Sequence, residues 1–290
     1  MDEQKRPLTT VQWFPGHMAK ARRLIEENLK VVDIIVELLD ARIPLSSSNP
    51  IIMGLIGNKP HIIVLNKADL ADSGITREWI KFYKRMGKSA LSIDSVKGKN
   101  IKELTQTIAR LTEKQTSRFS AQGAKARSAR AMIVGIPNVG KSSLINRLAG
   151  TIAAKTENRP GVTRAKQWIR IGKNIDLLDM PGLLWPKFDD PSVGLNLAFT
   201  GAINDDVYDK NNVVLSLLDF LKEHYPHALQ NRFKLTEIPT ANEDLLSLIG
   251  KKRGYLIKGG AIDEEKTITA VFTDFRSGRL GKISLESPQA

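Results

Sequence analysis

Short apolar runs alternate with segments of helical periodicity along the first two-thirds of the chain. The runs have the length of buried strands, and apolar residues at helical spacing follow them. They occupy residues 31–40, 61–65, 89–93 and 131–134. Two more runs, 167–171 and 174–178, flank Gly172 and predict a hairpin. This alternation predicts an α/β fold, with a mostly parallel sheet and helices on both faces.

The pattern also predicts where domains begin and end. Residues 1–30 are interpreted as a basic segment and a helix, and 31–195 as the α/β domain. Within that domain, residues from about 113 to 130 are basic and lack apolar periodicity, as is typical of a flexible connector. Helical periodicity over most of residues 200–290, with either another helix or short strands over 266–286, predicts a separate, mostly helical domain there.

A glycine-rich loop follows the apolar run at 131–134. The stretch Gly135–Ser142 has the pattern Gly, four residues, Gly-Lys-Ser, and a helix is predicted after it. Such a loop closes backbone N–H groups around phosphate oxygens at a helix N-terminus. We expect Lys141 to reach the β- and γ-phosphates and the Ser142 hydroxyl to bind Mg²⁺. The residues expected to line the phosphates are Asn138, Val139, Gly140, Lys141, Ser142 and Ser143.

A second motif follows the run at 61–65 and predicts recognition of guanine. Asn66-Lys67-Ala68-Asp69 places a carboxylate where it can accept from N1–H and the 2-amine of guanine. Adenine would leave that carboxylate unpaired, a mismatch of several kcal/mol. The Asn66 side chain is expected to tie neighbouring loops together, and the Lys67 stem to cover the base.

Three further segments have residues suited to the same nucleotide. Asp94 and Ser95 follow the run at 89–93, in a loop that can offer backbone N–H groups to the guanine O6. Thr163, after Pro160-Gly161-Val162, is a candidate Mg²⁺ ligand and γ-phosphate sensor. Asp179 is expected to hold Mg²⁺ through water, and the Gly182 N–H to bond the γ-phosphate.

These motifs occur in a rotated order, with base recognition ahead of the phosphate loop. Circular permutation preserves a folded site because termini can move to exposed loops. The sequence resembles the circularly permuted GTPases of ribosome assembly over nearly its whole length. The resemblance rests on 13–18, 66–69, 135–142, 160–163, 179–182 and 184–188. It implies a late factor of large (50S) subunit assembly, with GTP hydrolysis stimulated by the subunit or its precursor and binding and release controlled by nucleotide state. RNA contacts by the N-terminal segment and the C-terminal domain are implied as well.

The residue that positions the attacking water is not evident. Many small GTPases carry glutamine directly after Asp-x-x-Gly, where this chain has Leu183, so slow intrinsic hydrolysis is expected. His17 is a candidate because imidazole can accept from water and donate to phosphate, although packing or RNA contact would also suit it. Resemblance to K⁺-dependent relatives makes Asn138 a candidate K⁺ ligand. The predicted catalytic set is therefore His17, Lys141, Thr163 and Gly182.

Composition favours a polyanionic partner. Forty-four lysines and arginines oppose 31 aspartates and glutamates, a net charge of +13. The absence of cysteine excludes disulfides and thiolate metal sites. No apolar run approaches the ~20 residues of a membrane span, and a cytoplasmic, membrane-free protein, monomeric when free, is expected.

Three other interpretations stay open on sequence alone. One is a nucleotide-gated RNA-binding switch with negligible hydrolysis, which Leu183 favours. Another is an ATPase or nucleic-acid motor, against which Asp69 argues. The last is a GTPase that acts on tRNA or membranes.

Overall fold

The computed structural model of the chain describes residues 16–121, 127–150, 167–172, 174–185 and 188–288. These residues form two compact units. The described residues of the first unit lie between Gly16 and Trp185 and between Ser284 and Pro288, and those of the second between Phe188 and Ile283. The domain predicted over 200–290 therefore differs at its end, because the last described residues belong with the first unit.

The first unit is built around a six-stranded sheet of order β3-β2-β1-β4-β6-β5. The strands are β1 (Ile34–Asp40), β2 (His61–Asn66), β3 (Ser89–Ser92), β4 (Ala129–Val134), β5 (Gln167–Ile171) and β6 (Ile175–Asp179). All pairings are parallel except β5 with β6, which forms the predicted hairpin. Every residue of β1 is buried, as expected for a central parallel strand.

Among the described residues, six α-helices accompany this sheet. They are α1 (Gly16–Leu29), α2 (Pro44–Ser47), α3 (Pro50–Ile56), α4 (Ser73–Arg85), α5 (Ile101–Ala121) and α6 (Lys141–Ala149). α4 begins where the Asp72 carboxylate accepts from the N–H groups of Gly74 (2.7 Å) and Ile75 (3.0 Å). α5 continues to Ala121, so part of the predicted connector at 113–130 is helical.

The chain returns to the first unit after the helical unit. The Glu286 carboxylate accepts from the backbone N–H of Leu45 at 2.6 Å and of Ser46 at 3.0 Å. The indole N–H of Trp79 donates to the Glu286 carbonyl at 3.2 Å, and the Asp72 N–H donates to the Ser284 hydroxyl at 3.1 Å. These bonds fix residues 284–286 against α2 and α4.

The second unit contains five α-helices and one short 3-10 helix (Asp205–Val207) among its described residues. The α-helices are α7 (Pro191–Phe199), α8 (Lys210–His224), α9 (Pro226–Phe233), α10 (Asn242–Arg253) and α11 (Glu264–Arg276). Its buried carboxylate, Asp274, accepts from Arg232 (2.7 Å) and Arg253 (2.9 Å), which ties three helices together. No helix in the described part of the chain is long and apolar enough to cross a membrane.

Candidate nucleotide-binding site

The predicted motifs converge at the carboxyl ends of adjacent strands. Asp40 ends β1 and pairs with Asn66 at the end of β2. On the other side of β1, β4 leads into the glycine-rich loop, and its Ile133 pairs with Asp179 at the end of β6. In open α/β sheets, ligands bind outside this edge.

Two glycines of the loop are required by close packing. A Cβ at Gly140 would overlap the Asn66 side-chain amide, and the Gly140 φ of 98° also favours glycine. A Cβ at Gly135 would overlap the Leu38 carbonyl oxygen. α6 then begins at Lys141, so the loop leads directly to a helix N-terminus.

Asn66 joins the two motifs, which lie 73 residues apart between Asn66 and Val139. Its side-chain amide donates to the Val139 carbonyl at 2.8 Å, and its Oδ1 accepts from the Ser95 N–H at 3.1 Å. The side chain is fully buried, at 0% exposure. The prediction that Asn66 ties neighbouring loops together is therefore confirmed.

Polar side chains surround Asn66, some buried, such as Asp94, and some partly exposed, such as Asp69 and Lys67. The Asp69 carboxylate lies 4.0 Å from the Lys97 ammonium and is about one-third exposed, at 30%. Lys67 has a left-handed φ of 58°, and its ammonium lies 3.0 Å from Asp40. The Asp94 carboxylate accepts from the Val96 and Lys97 N–H groups, so it shapes the loop that carries Ser95.

Lys141 and Asp179 are both buried at the phosphate-loop side of the site, with exposures of 7% and 3%. The Lys141 ammonium donates to the carbonyls of Gly135 (3.0 Å) and Ile136 (2.7 Å). Burial lowers the pKa of Lys141, and the nearby Asp179 charge opposes this. Burial raises the pKa of Asp179, opposed by Lys141 and by the Met180 N–H.

The segment after Asp179 lies against the glycine-rich loop. A Cβ at Gly182 would lie 2.8 Å from Pro137 N and 3.0 Å from the Lys141 ammonium nitrogen, so only glycine permits this approach. The Leu183 N–H donates to the Gly135 carbonyl at 3.2 Å. The predicted segment Asp179–Gly182 and the loop are thus neighbours in space.

Oxygen atoms of Asp179 and Ser142 are suited to bind a magnesium ion that is shared with the phosphates. Asp179 Oδ1 is buried and has no hydrogen-bond partner among the described residues. Ser142 is half-buried at the start of α6. In the described part of the chain no cluster of three or more histidines and carboxylates could hold a metal by itself. Mg²⁺ ordinarily uses one or two protein oxygens together with phosphate oxygens and water.

The residues predicted for hydrolysis are only partly described. Leu183 is 1% exposed, so an apolar, buried side chain occupies the position where many small GTPases have glutamine. The backbone of His17 lies in the first turn of α1, and its side chain is outside the described part of the chain. Thr163 also lies outside the described residues.

Three residues near the site were missed by sequence reasoning. Asn49 donates to the Leu183 carbonyl at 2.8 Å, and Arg147 of α6 donates to the Ser95 carbonyl at 3.3 Å. Burial would raise the pKa of the third, Asp40, but Arg42 and Lys67 together hold that pKa well below its usual range. These contacts have no local sequence signal, although a charged residue ending an apolar strand was visible at Asp40.

The fold and the site define a P-loop GTPase domain in which the base-recognition motif precedes the phosphate loop. A family model described as "50S ribosome-binding GTPase" matches residues 130–251. The chain is 50% identical over 279 residues to a protein named "Ribosome biogenesis GTPase A" from Bacillus cereus, covering 96% of this chain and 94% of that protein.

Two solved structures are similar over nearly the whole chain. The GDP-bound structure of TM YlqF is 27% identical, with a TM-score of 0.66, and covers 92% of this chain and 100% of that one. GNP-bound YlqF from T. maritima is 28% identical, with a TM-score of 0.65, and covers 93% and 99%. This chain belongs to the ribosome biogenesis GTPase A family.

Proposed function

We propose that this protein binds and hydrolyses GTP during late assembly of the large (50S) ribosomal subunit. The subunit or its precursor stimulates an intrinsically slow reaction, and the nucleotide state controls binding and release. The observation that carries the proposal is the Asn66 bridge, because it brings the base motif and the phosphate loop to one sheet edge. The names of the family model and of the Bacillus cereus relative support the ribosomal partner.

Each end of the nucleotide has its own residues. At the base, the partly exposed Asp69 carboxylate accepts from the guanine N1–H and 2-amine, and the Lys67 stem covers a base face. Asp94 holds the loop around Ser95 in shape beside Asn66.

At the phosphates, the backbone N–H groups of the loop and of the α6 N-terminus bind the oxygens. They are supplied by Asn138, Val139, Gly140, Lys141, Ser142 and Ser143. The Lys141 ammonium moves from loop carbonyls to the β- and γ-phosphates, where it stabilises charge that develops during transfer. The Gly182 N–H bonds the γ-phosphate and so makes its segment sensitive to hydrolysis.

Mg²⁺ would be held by the Ser142 hydroxyl, by Asp179 through water and by Thr163. The ion would supply charge neutralisation between the β- and γ-phosphates. A buried carboxylate oxygen without a protein partner supports Asp179 in this role.

Hydrolysis needs a group that orients water, and Leu183 cannot provide a hydrogen bond. His17 is the proposed residue within the chain, and His17→Ala should lower subunit-stimulated turnover at least tenfold while GTP affinity is kept. Unchanged stimulated turnover would remove His17 from the catalytic residues. Asn138, at a left-handed φ of 56°, is the proposed K⁺ ligand, and equal rates in KCl and NaCl would exclude it.

The buried Leu183 also favours a second candidate, a nucleotide-gated RNA-binding switch with negligible hydrolysis. Multiple-turnover phosphate release with precursor large subunits separates the two functions. Stimulated turnover is expected for the GTPase, and a single turnover or none for the switch.

Sucrose-gradient sedimentation tests the partner and the control by nucleotide. The full chain is run with precursor large subunits in a non-hydrolysable GTP analogue or in GDP, beside small subunits as a control. Comigration with large-subunit particles in the analogue and release in GDP is expected. Equal sedimentation with both subunits, or no dependence on nucleotide, would contradict the proposal. A cytoplasmic location follows from the ribosomal partner.

A further inference from the structure

The positive charge of this protein is concentrated in one unit. Residues 14–186 contain 29 lysines and arginines against 14 aspartates and glutamates, whereas residues 187–283 contain 13 against 14. The nucleotide site accounts for only a few of these cations. The rest of the excess therefore needs another explanation within the first unit.

One helix of that unit has a continuous basic face. Arg77, Lys81, Lys84 and Arg85 of α4 are all exposed. At about 100° per residue they lie within an arc of roughly 100° on the helix. Lys88, three residues past the helix end, extends the same line of charge.

The opposite face of α4 is firmly packed. Trp79 and Tyr83 are buried in a cluster with Leu39 and Leu65 of the sheet. The Trp79 indole N–H also donates to the Glu286 carbonyl at 3.2 Å. Packing of the apolar face against the sheet therefore fixes the orientation of α4 and of its basic face.

Neighbouring acids leave this charge largely uncompensated. Among the described residues, none forms an ion pair within 4.0 Å of these four α4 cations. Glu286, the acid of the returning segment, uses its carboxylate on Leu45 and Ser46. Glu78 lies at the edge of the face and, together with Lys81, Lys84, Arg85 and Pro288, lines an open groove there, so one acid opposes these cations.

We propose that the exposed face of α4, formed by Arg77, Lys81, Lys84 and Arg85, binds the phosphate backbone of double-helical RNA. No aromatic side chain is exposed on the described surface of this helix, so base stacking on single strands is disfavoured. From Arg77 to Arg85 the face extends about 12 Å, at 1.5 Å per residue, long enough to contact several successive phosphates along one strand. The choice of RNA rests on the proposed ribosomal partner, and the surface itself lies outside the nucleotide site.

A pair of matched double variants tests the assignment. Lys81→Gln with Arg85→Gln removes two charges from α4, and Lys102→Gln with Arg110→Gln removes one lysine and one arginine from the exposed surface of α5. Glutamine keeps good helix propensity. Each full-length protein, loaded with GDP, is titrated against a labelled RNA hairpin of about twelve base pairs over a range of salt.

At about 0.1 M salt each lost phosphate contact is worth up to roughly a tenfold change in affinity. The α4 variant should bind RNA at least tenfold more weakly, and its log K against log salt slope should be less steep by about 2. The α5 variant should stay within about threefold of the unmodified protein. Labelled-GDP affinity should be unchanged in both variants, which shows that the fold and nucleotide site are intact.

Two results would overturn the inference. Equal weakening by both variants would mean that only net charge matters. An unchanged RNA affinity of the α4 variant would also overturn it. If that variant lost binding to anionic phospholipid vesicles or to an acidic protein, the face would belong to that partner, and otherwise to none. Failure of subunit-stimulated hydrolysis in the unmodified protein would contradict the proposed function and leave this RNA measurement interpretable.

Discussion

Replacing Asn66 with alanine removes the side chain that bonds both the phosphate loop and the base loop. The change leaves the Val139 carbonyl and the Ser95 N–H buried without their partner. Each unsatisfied buried group costs roughly 1–3 kcal/mol. In the free variant the two loops can separate and meet water, whereas bound nucleotide holds them together. Most of the cost therefore falls on the bound state.

Taking the low end for each group gives about 2 kcal/mol, which corresponds to a roughly 30-fold loss of affinity. The loss should be the same for GTP and GDP, because the two bonds lie beside the base and the loop and not at the γ-phosphate. Titration with fluorescently labelled GDP, followed by competition with unlabelled GTP, measures both affinities.

Asn28→Ala is the matched control for this variant. Asn28 is also buried, and its amide donates to the Leu24 carbonyl at 2.7 Å within α1. The Asn28→Ala variant should have a lower free energy of unfolding and an unchanged affinity for GTP and GDP. If Asn66→Ala bound both nucleotides within twofold of the unmodified protein, the bridge would be a fold contact alone. A loss of GTP affinity alone would place its effect at the γ-phosphate and also refute the reasoning.

Three further predictions follow from the same geometry. Gly182→Ala places a Cβ 2.8 Å from Pro137 N. It should weaken binding of GTP at least tenfold, and binding of GDP less, in competition titrations. Equal losses of affinity for the two nucleotides would contradict a role for Gly182 at the γ-phosphate. Burial lowers the pKa of Lys141 below 10.5 and raises the pKa of Asp179 above 3.8. Because phosphate binds the charged lysine and Mg²⁺ binds the ionised aspartate, affinity for Mg·GTP should fall both as Asp179 is protonated at low pH and as Lys141 is deprotonated at high pH. Titrations of Mg·GTP that gave constant affinity over about pH 5 to 9.5 would contradict this prediction. Glu286→Ala should lower the free energy of unfolding by about 1–2 kcal/mol in urea melts while GDP affinity holds, and an unchanged unfolding midpoint would show that the returning segment is not a structural contact.

Sequence patterns were sufficient for the sheet and for the arrangement of its loops. Buried parallel strands are short apolar runs, so β1, β2 and β4 were visible to within a few residues. The motifs at their ends were also interpretable, because each combines a glycine or polar pattern with a preceding strand. That Asn66 ties neighbouring loops together was also predictable, whereas its partner, the Val139 carbonyl, was identified only by the structure.

Other features have no local signal. α5 extends to Ala121 through a segment without an apolar face, since helix propagation needs only backbone bonds once a helix has begun. Proline often ends a helical pattern, but Pro226 is the first residue of α9, where the missing backbone N–H would have no partner within the helix. The contacts of Glu286 with Leu45 and Ser46 span about 240 residues and could not be predicted from spacing.

The account depends most on Asp69 and Lys141 serving one guanine nucleotide. Asp69→Asn replaces an acceptor with an amide that can donate to the 2-oxygen of xanthine and no longer matches the guanine 2-amine. Competition of GTP and of XTP against a labelled nucleotide, on the unmodified and the variant protein, measures how the preference between the two bases changes. We predict that the variant binds GTP at least about 100-fold more weakly and prefers XTP to GTP. A variant that still prefers GTP would mean that Asp69 does not contact the base and would contradict the account.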